Sequence, residues 1–449
     1  MDVVIVGGGW AGAAAAMAAA RQGAEATLLE RTDMLLGTGL VGGIFRNNGR
    51  FAASEELIAL GGGDLIEAMD SNTLHRDMEF PGHRHASLYN VATMEPIVCR
   101  ALWDAGVDVK LMTRFAKVET EGQRITAVIA KRHGKDVRFA GRVFIDATGT
   151  AGPRTLCKKH GNGCTMCVLR CPTFGPRVSV AGQAGIDEMT GQKKGRLGAV
   201  SGACKLLKES LSPDIVARLN ETGVAVVALP KTDQFDADMS YKACQQYASA
   251  EYRDNIVFLD TGHAKLMTPF FPLDALRRVP GFENARYEDP YSGGEGNAIR
   301  YFDMSPRDDA LKVTGLDNLY CAGEKAGLLV GHTEAICTGV LAGYNAARQA
   351  LGHEPLVLPD SLAIGDSISF VRQRMATEEG LGLKYTYSGS VLFERMIERG
   401  TDTTDVNAVK SRVAQTGLSG VFADAPDAAR QPAVPHGEES IAATAGRGN

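Results

Sequence analysis

The chain has 449 residues, 44% of them hydrophobic and 22% charged, enough to bury a large core and to form two interleaved domains. Its net charge of -5 and the lack of a long Lys/Arg block argue against a broad phosphate-binding face, and so against a nucleic-acid partner, leaving room for a local basic patch. The uncharged run from Val3 to Ala20 follows Asp2 rather than a basic segment and is interrupted by glycines. A soluble cytoplasmic protein with no membrane span and no targeting peptide is therefore expected.

The first predicted elements are a short apolar strand, Val3 to Val6, a glycine turn, and an Ala-rich helix. Within the turn, Gly7-Gly8-Gly9-Trp10-Ala11-Gly12 has the spacing of a dinucleotide cradle: Gly7 permits the tight turn, Gly9 lets backbone approach a pyrophosphate, and Gly12 lets helix and strand pack closely. Phosphates bound there meet a helix N-terminus, whose unpaired N–H groups and dipole favour negative charge. A second strand, Ala26 to Leu29, ends in Glu30 and Arg31. An acidic side chain at that distance accepts hydrogen bonds from ribose hydroxyls and disfavours a 2'-phosphate.

Downstream, a helix is predicted from Met94 to Ala105, a strand from Val109 to Thr120, and a meander through Arg124 to Lys131 and Lys135 to Phe139. The apolar strand Val143 to Ile145 then ends in Ala147-Thr148-Gly149. Far along the chain, Leu319 to Glu324 forms another strand closing on Gly323-Glu324, and Gly331 begins a small-residue helix running to Arg348. A nicotinamide domain would instead continue as alternating strands and helices.

These three motifs resemble the FAD-dependent oxidoreductases of the glutathione-reductase type, and the segment GHTEAICTGVLAGYNAAR, residues 331 to 348, is most similar to the GidA-related flavoproteins, whose best-known members act in tRNA modification. The resemblance covers roughly residues 1 to 50, 90 to 152 and 311 to 350. It implies FAD as cofactor, with Gly323 and Glu324 at the ribityl chain or phosphates. It also places the amides around Gly331, Thr333 and Glu334 at the flavin pyrimidine edge, where a helix N-terminus stabilises the negative charge of reduced flavin. Related flavoproteins lay a glycine-rich loop along the isoalloxazine, and Leu36 to Gly43, with Gly42 and Gly43, fits that place. His332 is a candidate proton donor at the flavin edge, with a satisfied structural histidine as the alternative. Gly339 and Gly343 read as sites of close helix packing.

Nine cysteines are present, four of them within fifteen residues: Cys157, Cys164, Cys167 and Cys171. The spacing C-x2-C-x3-C-P from Cys164 to Pro172 equals the end of a bacterial ferredoxin run, with Gly161 where the first cysteine would stand. A 4Fe-4S cluster, with Cys157 or Cys204 as fourth ligand, is one reading. A redox dithiol between Cys164 and Cys167, a zinc knot and a plain structural role are the others. Arg177, just beyond, is a candidate for binding a substrate anion. The trio His83-Arg84-His85 fits a polar substrate wall better than a metal site.

The expected architecture is α/β: a discontinuous FAD/NAD(P)-binding Rossmann-like domain (1–50, 91–152 and 311–350) with a central parallel sheet plus β-meander, into which an α+β substrate domain (51–90 and 153–310) is inserted. Residues 351–423 are expected to form a helical cap, with helices around Ile368 to Glu379 and Ser390 to Glu398, and 424–449 a flexible tail. Only one dinucleotide fingerprint is present, so electrons must pass through substrate, oxygen or a partner protein. The leading functional expectation is an FAD-dependent oxidoreductase acting on a small organic substrate, with any iron-sulfur cluster relaying electrons to a redox partner, in a homo-oligomer. The alternatives are a GidA-like tRNA-modifying flavoprotein and an electron-transfer subunit.

Overall fold

The computed structural model describes residues 1–149, 174–193, 196–197, 199–200, 203–230, 245–268, 271–288, 299–300 and 302–423. Its central sheet grows from the N-terminal strand. β1 (Val3–Val6) is wholly buried, lies between β2 (Ala26–Leu29) and the later strand Val143–Asp146, and runs parallel to both. Strands covered on both faces are unbroken apolar runs, which is the pattern of VVIV and ATLL. α1 (Trp10–Arg21) crosses one face, and ten of its residues are buried.

The chain continues through β3 (Ile44–Phe45), α2 (Gly49–Ala59), α3 (Asp64–Ser71) and a hairpin of β4 (Thr73–Phe80) and β5 (His83–Tyr89), which forms a small antiparallel sheet in the order β3-β5-β4. The hairpin has no counterpart in the sequence reading, because polar residues alternate irregularly along β4 and bulges shift its register. α4 (Val91–Asp104) starts at Asn90, whose side chain accepts from Ala92 N at 2.9 Å. The single strand predicted over Val109 to Thr120 is in fact two. β6 (Asp108–Lys110) joins the parallel sheet beside β2, Met112 turns the chain with φ of 52°, and β7 (Thr113–Glu121) begins the meander. β8 (Arg124–Arg132) and β9 (Lys135–Ala140) complete that meander, β7 pairing with β8 through two register shifts and β8 with β9 without one.

β10 (Val143–Asp146) returns the chain to the parallel sheet. A four-stranded antiparallel sheet follows, made of β11 (Cys204–Leu206), β12 (Val224–Ala228), β13 (Asn255–Asp260) and β14 (Ala264–Leu266) in the order β11-β14-β13-β12, with α5 (Pro213–Thr222) preceding β12. It has its own apolar core, around Leu206, Leu219, Phe258 and Phe282. A smaller cluster of Met78, Phe80 and Leu88 with Val257 and Leu259 joins it to the β4–β5 hairpin. β15 (Leu319–Cys321) then closes the five-stranded parallel sheet, order β15-β10-β1-β2-β6. Asn318 locks sheet to meander, accepting from Ile125 N at 2.9 Å and donating to Ile125 O and Arg142 O at 2.8 Å each.

α6 (His332–Ala350) packs along α1 with backbones in near contact: side chains at Gly339 and Gly343 would collide with the carbonyls of Ala11 and Ala15. The C-terminal helices are α7 (Ala363–Met375), α8 (Ser390–Arg399) and α9 (Val406–Gln415). Glu56 of α2, fully buried, accepts from Ala363 N and Ile364 N at 2.9 and 2.8 Å and so caps α7, with Arg412 of α9 at 3.5 Å. Burial raises the Glu56 carboxyl above its usual range. No helix among the described residues is long and apolar enough to cross a membrane.

Candidate functional site

A long cleft opens at the carboxyl ends of β1, β2 and β10, where open α/β sheets bind ligands. The glycine turn forms its floor. Gly7 has φ of 106°, which side chains rarely adopt, and a Cβ there would strike Ala147 O. Gly12 is equally confined, by Gly7 O. Gly9 is different: a Cβ there meets nothing nearer than Leu36 O at 4.0 Å, and the residue lines the cleft. Two glycines thus serve the fold and the third leaves room for a ligand.

Glu30, 7% exposed, accepts from Gly8 N through one carboxylate oxygen and from Thr32 N through the other, both at 2.8 Å. Each oxygen keeps acceptor capacity for a ribose hydroxyl. On the neighbouring strand end, Ala147, Thr148 and Gly149 line the cleft beside Arg177. Buried Asp146 holds this wall together, accepting from the Thr148 hydroxyl at 2.6 Å and from Val180 N and Ala181 N at 2.8 and 3.0 Å. Arg31, which donates to Gly175 O at 2.7 Å, Trp10, Ala11, Gly323 and Glu324 complete the predicted lining.

At the other end stands His332, the first residue of α6. Its ring packs against Gly42, where a Cβ would overlap it, and against Trp10 and Tyr89 at centroid distances of 6.0 and 5.9 Å. The Tyr89 hydroxyl lies 3.3 Å from His332 Nδ1 and 3.1 Å from Gly39 O. Burial raises this phenol far above its normal pKa, so it stays protonated. A phenol that gives its proton to Gly39 O can accept from Nδ1–H, the tautomer in which Nε2 is the basic nitrogen.

Four predicted contacts fall elsewhere, the first being Gly12, which is packed against Gly7 O. Glu334 does not line the cleft: it is fully buried, paired with Arg50 at 3.1 Å, and accepts from the Thr386 hydroxyl and Tyr387 N at 2.6 and 2.8 Å. Thr333 is fully buried, and Gly43 faces Thr261. Successive side chains of a helix point in different directions, so His332 and Ala335 reach the cleft, next to the N-cap Gly331, while Thr333 and Glu334 do not. His83 is buried between Phe80 and Tyr247, with Asn47 donating to its Nδ1 at 2.9 Å, and burial together with the Arg50 charge pushes its pKa down to about 3. It is a neutral packing residue rather than a wall of the cleft.

Cys157, Cys164, Cys167 and Cys171 lie outside the described residues. Among those that are described, no group of three or more His, Cys, Asp or Glu side chains is arranged to hold a metal. Cys204, the remote candidate for a fourth ligand, is buried in the second core, and burial pushes its thiol up to about 12.

The sequence reading missed most of the cleft's charge. Arg50, Arg114, Lys265 and Lys384 line it together with Arg31 and Arg177, against two acids, Glu30 and Glu324. These six cations come from α2, the meander, the antiparallel sheet and the C-terminal region, besides the strand ends. No local motif announces them.

The FAD dependent oxidoreductase family matches residues 2–152, and the Glucose inhibited division protein A family matches residues 262–354. These two partial matches make the chain similar to the GidA-related FAD flavoproteins. Its fold is that of Aquifex aeolicus GidA, with TM-scores of 0.67 and 0.65 in two crystal forms at 17% identity, covering 94% of this chain and 73% and 76% of those chains. The tRNA uridine 5-carboxymethylaminomethyl modification enzyme MnmG of Cytophaga hutchinsonii is 38% identical over 91 residues, 20% of this chain and 14% of that protein. The methylenetetrahydrofolate–tRNA-(uracil-5-)-methyltransferase TrmFO of Thermus thermophilus is 34% identical over 119 residues, 26% of this chain and 25% of that one. The chain therefore spans at most about a quarter of those relatives' length. The expectation against a nucleic-acid partner does not stand, because it rested on a net charge of -5 summed over the whole surface. The relatives are named for tRNA modification, and basic side chains outnumber acidic ones along the cleft of this chain.

Proposed function

We propose that the protein is an FAD-dependent oxidoreductase of the GidA kind whose substrate is a tRNA-class nucleic acid. The observation that carries this reading is the cleft: six basic side chains against two acidic ones around a dinucleotide cradle, in a chain whose overall charge is negative. The residues present fit the cofactor, since Gly9 leaves space for a pyrophosphate and Glu30 retains acceptors for a ribose. Bound FAD would supply hydride or electron-pair transfer.

The chain's own residues would do the rest. The amides of the turn and the start of α1, with Arg31 and Arg177, would hold phosphates. Gly323 and Glu324 would border the sugar-alcohol chain. His332 Nε2 would take or return a proton at the reacting end, with the imidazole oriented by Tyr89. Lys384 and Arg114 would neutralise a polyanion entering the cleft.

The test is direct. Purified protein should show flavin absorbance at one FAD per chain, and it should bind tRNA with an affinity that falls steeply with salt. Flavin without salt-sensitive tRNA binding would reject the substrate, and an absence of flavin would reject the reading altogether. A second reading, a small organic substrate with electrons relayed to a redox partner, is favoured by the C-x2-C-x3-C-P spacing from Cys164. Iron and sulfide assays on anaerobically prepared protein decide it, with four irons per chain expected.

A further inference from the structure

Two lysines stand directly opposite each other on the antiparallel sheet, Lys205 on β11 and Lys265 on β14. Like charges paired across a ladder destabilise it unless something else rewards them. Here both ammonium groups reach the same short stretch of the glycine loop. Lys205 Nζ donates to Leu40 O at 2.8 Å, while Lys265 Nζ donates to Val41 O at 2.9 Å and also to Gly42 O. The loop has already used its own donors there, Val41 N on Thr38 O and Gly42 N on Gly39 O. Carbonyls are what it offers outward, and the two lysines take three in succession.

The loop is thus strung between the two halves of the molecule. At its start, Leu36 N donates to Gly8 O at 2.7 Å, tying it to the cradle. At its end the lysines tie it to the antiparallel sheet. Lys265 is 6% exposed and lines the cleft, and the Gly42 whose carbonyl it holds abuts the His332 ring. Its charge therefore sits at the end of the cleft where α6 begins, and the two positive ends reinforce each other.

We infer that Lys205 and Lys265 are positioning residues that pin the glycine loop over the bound cofactor and, through their charge at the His332 end, make the cleft hold reduced flavin in preference to oxidised flavin. Two-electron reduction of flavin adds negative charge, and a buried ammonium beside it stabilises the product state more than the reactant state. The inference rests on the flavin reading of the cleft.

The experiment measures FAD dissociation constants in both redox states, together with the midpoint potential, for wild type, Lys265→Gln, Lys265→Arg and Lys205→Gln. Hydrogen exchange over residues 37–43 reports on the loop. Lys265→Gln should lose about tenfold in the preference for reduced over oxidised FAD, about 30 mV for a two-electron couple. Lys265→Arg should restore most of it, and Lys205→Gln should shift the potential the same way by less. Exchange over the loop should rise in both Gln variants. A purely structural clamp would weaken both redox states equally and leave the potential where it was, and that result overturns the inference. Should Lys265→Gln fail to fold, a wild-type potential in Lys205→Gln overturns it just as well. A wild-type protein that binds no FAD would instead sink the flavin reading itself.

Discussion

The parallel sheet and its helices are packed backbone against backbone, whereas the antiparallel sheet that reaches the same cleft is packed side chain against side chain. In the first, α1 and α6 touch at Gly339 and Gly343, and Gly7 and Gly12 press the turn against Ala147 and against each other. In the second, Phe258 stacks on Phe282 at 5.3 Å and the core is filled by large apolar residues from strands and loops. The first arrangement accepts only the smallest residue at fixed positions. The second accepts many combinations of the right volume. The difference explains why one half carries a recognisable fingerprint and the other carries none, although both contribute to the site.

The comparison can be broken at its strongest point first. Arg50→Met leaves Glu334 charged and fully buried without its ion-pair partner, and should cost about 3–5 kcal/mol in urea unfolding. Gly343→Val drives a branched side chain into the Ala15 carbonyl, with an expected loss of about 3 kcal/mol. In the antiparallel sheet Phe258→Leu should cost only about 1 kcal/mol, since its neighbours are side chains that can shift. Equal costs at positions 343 and 258 would erase the distinction drawn between the halves.

A pH experiment probes the ground between them. Asp303 is 1% exposed, accepts from the Thr190 hydroxyl and lies near Lys325, Glu188 and Arg177; burial, the largest influence, raises its pKa from 3.8 to about 6. A carboxyl with a raised folded pKa contributes stability fully below the unfolded value and loses it as pH rises through the folded one. Relative to Asp303→Asn, the wild type should therefore lose about 2–3 kcal/mol between pH 4 and pH 6 and then level off. His83, held neutral, has the opposite slope, so the difference between the two proteins, rather than either curve alone, is the quantity to measure.

The smallest effect on stability is expected where the ligand effect is largest. Gly9→Val points its side chain into open cleft, so the unfolding midpoint of flavin-free protein should stay within a few degrees of wild type while bound FAD is lost. Retained stoichiometric FAD would show that the turn serves the fold alone.

Much of the parallel half is legible in the sequence. The first strand, the turn and the place of Glu30 at the end of β2 follow from it, because each is imposed by local sterics or by a single hydrogen-bonding role. Gly339 and Gly343 read as packing glycines for the same reason, and α6 does pack on α1 there. The boundary between β6 and β7 is not legible, because no Gly, Pro, Asn or Asp marks the turn at Met112. Nor is the burial of Glu334, which depends on how α6 is rotated about its axis, and that rotation is set by the contacts of α6 with α1 and α2.

What the sequence determined by itself is the cradle and the kind of cofactor it suits, since Gly7, Gly9 and Gly12 belong to one local turn whose sterics and ligand space fix their type. What only the tertiary structure decided is the electrostatics of the cleft. Arg50, Arg114, Lys265 and Lys384 are far apart in the chain and ordinary in their local surroundings, and they come to line one cleft, Arg50 with its charge paired to Glu334, because α2, the meander, the antiparallel sheet and the C-terminal region converge there. Net charge is a sum over the chain, whereas a ligand experiences the field of the few groups beside it.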